Sequence, residues 1–314
     1  MKLKNFVIRV LSAIVFVAVM ASCILWNGIS FSLLFLLILL GSLYEFYQIT
    51  FNKRNHLSPY ALKGSRNFVI VVSVLIFLIS LLTNGVFKEV ALGDSLFAKL
   101  LHNLLSRKFP FADLAVFVPP LVFVIFFHEL FSKAEEPFTN IGWNIIAIFY
   151  ITIPIILSLY IYFEHGRWIL FAIIGLVWIN DAMAYISGLL FGKKKMFTRL
   201  SPSKTIEGMI GGVVLTLLAG YLFTKLPISE LKIFSPLQWV TIAFFMSVAA
   251  IFGDLVESLL KRSLQIKDTG KLLPGHGGFL DRFDAFFVAI PFAVMVIWII
   301  QQVSYLQTLI EYLG

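Results

Sequence analysis

The stretch WILFAIIGLVWINDAMAYISGLL, residues 168–190, decides the fold class. A helix needs about 20 residues to cross a hydrocarbon core, and this stretch meets that length with a single charged side chain, Asp181. Working outward, further apolar blocks lie at 6–26, 28–48, 67–84, 110–131, 142–163, 208–224, 238–262 and 284–304. The reading is an all-α polytopic membrane protein of about nine transmembrane helices. Composition agrees: 60% of the 314 residues are hydrophobic and 13% charged, against about 25% charged in a soluble domain. A water-soluble enzyme is excluded, and 33 Phe with 6 Trp exclude a disordered polybasic chain. The lone cysteine, Cys23, excludes an intrachain disulfide or a cysteine metal cage. The formal charge of +8 is distributed between the spans, which points to anionic lipid or an anionic substrate and not to nucleic acid.

With the amino terminus in the cytoplasm, 17 basic residues fall on the inner side and 7 on the outer. The positive-inside rule then predicts a cytoplasmic amino terminus and an external carboxyl terminus. In the outer segment 95–109, Leu96, Leu100, Leu101, Leu104 and Leu105 recur at helical spacing opposite Lys99, Asn103 and Arg107, an interfacial amphipathic pattern. Met1 to Cys23 has the outline of a lipoprotein leader. Arg9 interrupts its apolar run, however, and apolar chain follows Cys23, so 6–26 is read as a retained span. Polar signals concentrate after residue 170. Residues 1–165 are therefore assigned as amino-terminal membrane helices giving scaffold and lipid access, and 166–314 as the half that carries the chemistry.

A carboxylate inside hydrocarbon needs a partner, a wet cavity or a ligand. Asp181, beside Asn180, is the clearest example. On the eighth span Asp254, Glu257, Ser258 and Lys261 follow at i, i+3, i+4 and i+7, along one helical face. Arg262 extends that stripe. Asp254 and Lys261 are separated by roughly 10 Å along the axis, enough for a cation at the deep end and anionic oxygens at the mouth. Glu45, His128 and Glu129 lie near helix ends, where solvation accounts for them.

Two inner loops carry further signals. In the first, Lys193-Lys194-Lys195 precedes Ser201-Pro202-Ser203-Lys204-Thr205, Glu207-Gly208 and Gly211-Gly212. Ser201 or Ser203 is predicted to cap the next helix with Pro202 in its first turn, and a helix start with free donors and Lys204 suits phosphate. The second reads Lys267-Asp268-Thr269-Gly270, then Leu273-Pro274-Gly275-His276-Gly277-Gly278-Phe279-Leu280-Asp281-Arg282-Phe283-Asp284. Glycines around His276 allow a ligand close to the backbone. Oxygen ligands without cysteine suit Mg²⁺, which commonly shares its shell with substrate phosphate.

The run from Ser258-Leu259-Leu260-Lys261-Arg262 through Lys267-Asp268-Thr269-Gly270 to Asp284 spans 27 residues. It resembles the signature of the phosphatidate cytidylyltransferases, also called CDP-diacylglycerol synthases, and the likeness extends over roughly 170–292, taking in Asp181 to Gly188 and Ser201 to Gly208. The resemblance implies transfer of a cytidylyl group from CTP to phosphatidic acid, giving CDP-diacylglycerol and pyrophosphate in phospholipid biosynthesis. It implies Mg²⁺, with room for a second cation such as K⁺. It also implies a homodimer in contact with membrane lipid, in a bacterial inner membrane with the site toward the cytoplasm. In keeping with it, Asp254 and Asp281 are expected as the main metal ligands, with Asp284 and Asp181 beside them. Lys261, Arg262, Arg282 and Lys204 are expected to hold phosphates. Asp254, Asp281, Lys261 and Arg282 form the expected catalytic set. Ser201, Thr205, Ser258, Lys267, His276, Gly277 and Gly278 are the remaining expected substrate contacts.

Two other classes share some of these features. A CTP-dependent polyprenol kinase would use a similar cytoplasmic phosphate site. An ion-coupled transporter would explain intramembrane carboxylates but not the His-Gly-Gly loop. A CDP-lipid phosphotransferase is set aside because its Asp-Gly-x-x-Ala-Arg motif is missing.

Overall fold

The computed structural model describes residues 2–53, 59–84, 111–132, 134–266, 269–270 and 278–313. Among these the chain is helical throughout apart from short connections, and the only β-type pairing is an isolated bridge between Lys195 and Thr205. The described residues contain seven helices long and apolar enough to cross a membrane, together with two shorter apolar stretches, Ala13–Trp26 and Pro119–Phe131. The protein is an all-helical polytopic membrane protein. The chain divides into two compact units, the first comprising Met1–Glu164 with Asp268–Leu280 and the second His165–Lys267 with Asp281–Gly314.

In the first unit, α1 (Lys2–Trp26) and α2 (Gly28–Lys53) are joined by a single residue, Asn27. Asn27 Oδ1 accepts the Ser30 N–H at 2.8 Å and Ser30 Oγ accepts the Asn27 N–H at 3.3 Å, so orphan donors at the turn are satisfied reciprocally. Along α2, Phe31, Phe35, Ile38, Leu39, Leu43 and Phe46 are buried while Leu33, Leu37 and Tyr44 are exposed. An apolar face left open suits lipid better than water. Then come α3 (Pro59–Asn84), α4 (Phe111–Phe131) and α5 (Pro137–His165). Helix α5 widens to a π turn over Ile148–Thr152, where the Ile153 N–H reaches Ile148 O. Pro154 follows directly; it lacks the N–H that an α-helix would give to Tyr150, which accounts for the widening.

Polar contacts tie these helices internally. Tyr47 Oη donates to Asn144 Oδ1 at 2.7 Å, Asn144 Nδ2 donates to Ser65 Oγ at 2.9 Å, and Ser73 and Thr152 share a hydroxyl bond of 2.9 Å. Glu129 and Glu45 correct the expectation of solvated helix ends. Both are buried. Glu129 Oε2 accepts from Ser132 Oγ at 2.8 Å and Asn140 Nδ2 at 3.1 Å, so local donors replace water. His128 lies half-buried and stacks on Phe68 with ring centroids 4.0 Å apart.

In the second unit, α6 (Arg167–Phe191), α7 (Ile206–Phe223) and α8 (Pro236–Ser263) pack on one another, with a 3-10 turn at Glu230–Ile233 and α9 (Leu280–Leu313) entering at Asp281. Small residues on α7 permit this. A Cβ on Gly212 would lie 2.9 Å from Ala184 Cβ and 3.0 Å from Asn180 O, and one on Gly220 would lie 2.8 Å from Ala243 Cβ. Helix α8 starts with a capping box: Ser235 Oγ accepts the Gln238 N–H and Gln238 Oε1 accepts the Ser235 N–H, with Pro236 in the first turn. Gly253 admits α9, since a Cβ there would lie 2.7 Å from Ala285 Cα. The amphipathic pattern at 95–109 lies outside the described residues.

Candidate active site

The loop between α6 and α7 folds back on itself through Met196 N–H to Lys204 O and Ile206 N–H to Lys194 O, both 3.0 Å. The cap of α7 is Thr205, whose Oγ1 accepts the Gly208 N–H at 3.2 Å; Ser201 and Ser203, the expected caps, precede it. Pro202 accordingly stands in the turn and not in the helix. Glu207, in the first turn of α7, accepts the Lys193 N–H at 3.0 Å and the Lys194 N–H at 3.1 Å. Its carboxylate thereby holds the triple-lysine backbone at a helix start that favours negative charge. The hairpin presents Lys204 toward α8.

Four elements of the second unit bring charged side chains together. Lys204 Nζ donates to Asp254 Oδ2 on α8. Lys261, one face further along α8, donates to Glu257 Oε2 and, at 3.0 Å, to Asp281 Oδ1 in the first turn of α9. Asp181 on α6 lies within electrostatic reach of Asp254, Asp284 and Lys204. Asp284 accepts the Ala285 N–H at 2.7 Å and faces Asp254, Glu257 and Lys261. Among the described residues, Lys204 and Lys261 stand among the carboxylates of Asp181, Asp254, Glu257, Asp281 and Asp284.

The oxygen-only donor set fits a hard divalent cation. Among the described residues, no three His, Cys, Asp or Glu side chains converge closely enough to hold such an ion. At the two leading carboxylates, Lys204 and Lys261 stand on oxygens of Asp254 and Asp281. An ammonium and a cation compete for the same lone pairs, so a bound ion requires these lysines to turn elsewhere.

The other expected residues are distributed as follows. Arg262 and Arg282 are exposed and Ser258 is half-buried. Ser201 is half-buried in the hairpin, its N–H donating to Phe197 O at 3.0 Å. Thr205 is buried against Gly188 and Gly192, its hydroxyl engaged in the cap. Gly278 packs within the first unit against Glu45. Lys267, His276 and Gly277 lie outside the described residues. Glu257 entered the sequence reading as one member of the stripe, and its i, i+4 spacing to Lys261 was the available signal for the ion pair. Glu207 had no such signal beyond its place in a helix first turn.

A bundle of membrane helices with cytidylyltransferase-like loops and a paired lysine–carboxylate cluster defines a class that comparison with known proteins makes specific. The model of the cytidylyltransferase family matches residues 7–300, and the chain belongs to that family. Similar proteins include the phosphatidate cytidylyltransferase of Bacillus subtilis (strain 168), 41% identical over 132 residues that make up 41% of this chain and 47% of the relative. That of Staphylococcus epidermidis (strain ATCC 12228 / FDA PCI 1200) is 37% identical over 169 residues, 54% of this chain and 64% of the relative. That of Staphylococcus aureus (strain COL) is 34% identical over 173 residues, again 54% and 64%. The chain thus spans about half to just under two thirds of the length of these curated relatives.

Proposed function

We propose that this protein transfers the cytidylyl group of CTP to phosphatidic acid, releasing pyrophosphate and leaving CDP-diacylglycerol in the membrane. A phosphate oxygen of phosphatidic acid attacks the α-phosphorus of CTP; the bond from that phosphorus to the α,β-bridging oxygen breaks, and pyrophosphate departs with the electron pair. The attacking phosphate is already largely ionised near neutral pH, so no strong general base is required. The barrier lies in anion–anion repulsion and in-line positioning. The observation that carries this reading is the pairing of Lys204 with Asp254 and of Lys261 with Asp281 on converging elements of one unit.

Asp254 and Asp281 would hold Mg²⁺, with Asp284 and Asp181 beside them, and the family resemblance supports a second cation such as K⁺. When bound, the ion screens the phosphates and draws charge from the α-phosphoryl oxygens. Lys204 and Lys261 exchange carboxylate oxygens for phosphate oxygens as the anions arrive, each giving a compact charge on a flexible stem. Arg262 and Arg282, which are exposed, offer planar forks suited to phosphate oxygens. Ser258 contributes a hydroxyl from α8, and Ser201 and Thr205 flank Lys204 in the hairpin. Lys267, His276, Gly277 and Gly278 are the remaining substrate contacts. The charge distribution across the spans supports a site toward the cytoplasm of a bacterial inner membrane, and the family resemblance supports a homodimer.

The test is pyrophosphate release by protein purified in detergent, with CTP and Mg²⁺, as the lipid is varied. Release with phosphatidic acid and none with diacylglycerol is expected. Release independent of the lipid phosphate would overturn the proposal.

A further inference from the structure

Glu45 lies on α2 with no solvent exposure and is not itself assigned a part in the reaction. Its Oε2 accepts the N–H of Leu280, the first residue of α9, at 3.0 Å. That N–H is one of the donors a helix start leaves without an internal partner, and a carboxylate there also complements the helix dipole. The contact joins positions 235 residues apart in the chain. It is a helix cap supplied from a distant segment.

Two glycines form the walls of the slot that holds this carboxylate. A Cβ on Gly270 would lie 2.5 Å from Glu45 Oε1, and one on Gly278 would lie 2.7 Å from Glu45 Cδ. The same Gly270 Cβ would stand 3.3 Å from Gly278 Cα, so the two glycines lie side by side against the carboxylate. One helical turn earlier on α2, a Cβ on Gly41 would meet the Phe279 ring at 3.0 Å. Gly41 and Glu45 therefore make a single receiving face for 278–280. Both stems of the glycine-rich loop and the first peptide of α9 converge on one carboxylate, and the next residue in the chain is Asp281.

We propose that Glu45 is a positioning residue: it pins the stems of the glycine-rich loop and caps α9, so that the segment leading into Asp281 is held in one arrangement. No atom of Glu45 touches substrate in this scheme. What it supplies is an acceptor for the Leu280 N–H and a shape that only glycine at 270 and 278 can admit. The activity arm of the test rests on the cytidylyltransferase reading, whereas the structural arm does not.

Three variants in purified full-length protein separate the contributions: Glu45→Gln keeps the acceptor, Glu45→Leu keeps bulk without it, and Glu45→Ala removes both. Displacement of reacting groups by about an ångström costs about 100-fold in rate, so Glu45→Leu and Glu45→Ala should lose about that factor in kcat. Glu45→Gln should restore most of it. Hydrogen–deuterium exchange supplies the readout that does not depend on turnover. Peptides covering 278–285 should exchange faster in Glu45→Leu than in wild type, while peptides from 206–223 stay unchanged. If wild-type protein lacks cytidylyl transfer, the functional reading fails and the exchange result still decides the positioning role. Unchanged exchange at 278–285 in Glu45→Leu would overturn that role. So would a Glu45→Gln protein as impaired as Glu45→Leu, because the acceptor would then not be what matters.

Discussion

Lys204 and Asp254 form a direct ion pair although 50 residues separate them in the chain, one in the hairpin ahead of α7 and the other on α8. This pair and its neighbour, Lys261 with Asp281, put a lysine on each carboxylate expected to bind the cation. Exchange of these lysines between carboxylate and phosphate is the central mechanical feature of the proposed reaction.

Asp254→Asn and Asp281→Asn should therefore each lower turnover by about 10²-fold or more, the scale seen when preorganised charge at a reacting phosphate or acyl group is lost. Folded yield should stay near normal, because Asn retains size and hydrogen bonding. Raised Mg²⁺ or Mn²⁺ should recover part of the loss. The check is steady-state kinetics across a metal titration, with near-normal turnover and unchanged metal dependence as the contrary outcome.

Lys261 touches both Glu257 and Asp281, so its loss leaves two carboxylates facing each other and Asp284. Lys261→Met should destabilise the protein, and adding Glu257→Gln should restore part of that stability. Residues in one ion-pair network show coupling of about 0.5–3 kcal/mol in a double-mutant cycle. Thermal unfolding of the four proteins in one detergent measures it. Additive effects would show that the three side chains do not act as a unit.

The apolar blocks made the helical segments among the described residues legible, because a charge-poor run of that length has few alternatives. Their ends were less legible. Helix α3 begins at Pro59 where its apolar block begins at 67, and α9 runs over Leu280–Leu313 where its block covers 284–304. Helical hydrogen bonding continues through polar residues at the membrane edge, and hydropathy does not register it. The α8 stripe was readable because one helix imposes its spacing. The Lys204 pair was not, since it depends on how a hairpin and a helix meet. Glu45 and Glu129 looked solvated because position near a helix end says nothing about donors brought by other segments.

Gly212 offers a packing test. Its Cβ would lie within 3.0 Å of both Ala184 Cβ and Asn180 O, and backbone cannot give way as a flexible side-chain tip does. Gly212→Ala should cost about 1–3 kcal/mol, the range for overpacking a tight contact. It should also lower activity, since α6 carries Asp181 next to Asn180. Unfolding in detergent checks the first effect and turnover below the transition checks the second.

Thr205 separates a cap from a substrate contact. Thr205→Ala should cost about 1 kcal/mol, the usual value for losing an N-cap, and Thr205→Ser should be close to neutral. Activity of Thr205→Ala measured well below its unfolding transition should fall only modestly. A loss of turnover comparable with that of Asp254→Asn would instead make the hydroxyl a direct substrate contact.

The sidedness of the α6–α7 hairpin is open to a direct check. With Cys23 replaced, a single cysteine at Lys194, which is exposed, should resist an impermeant thiol reagent in intact cells and react once the membrane is opened. Labelling from outside intact cells would reverse the orientation.

The most direct test of the central claim is to follow the two ends of the nucleotide at once, using purified protein, phosphatidic acid, Mg²⁺ and CTP labelled at either the α- or the γ-phosphorus. The account predicts that α-label enters the lipid fraction as CDP-diacylglycerol while γ-label appears in water-soluble pyrophosphate, in equal amounts. Transfer of γ-label to lipid with release of CDP would contradict it and establish a lipid kinase.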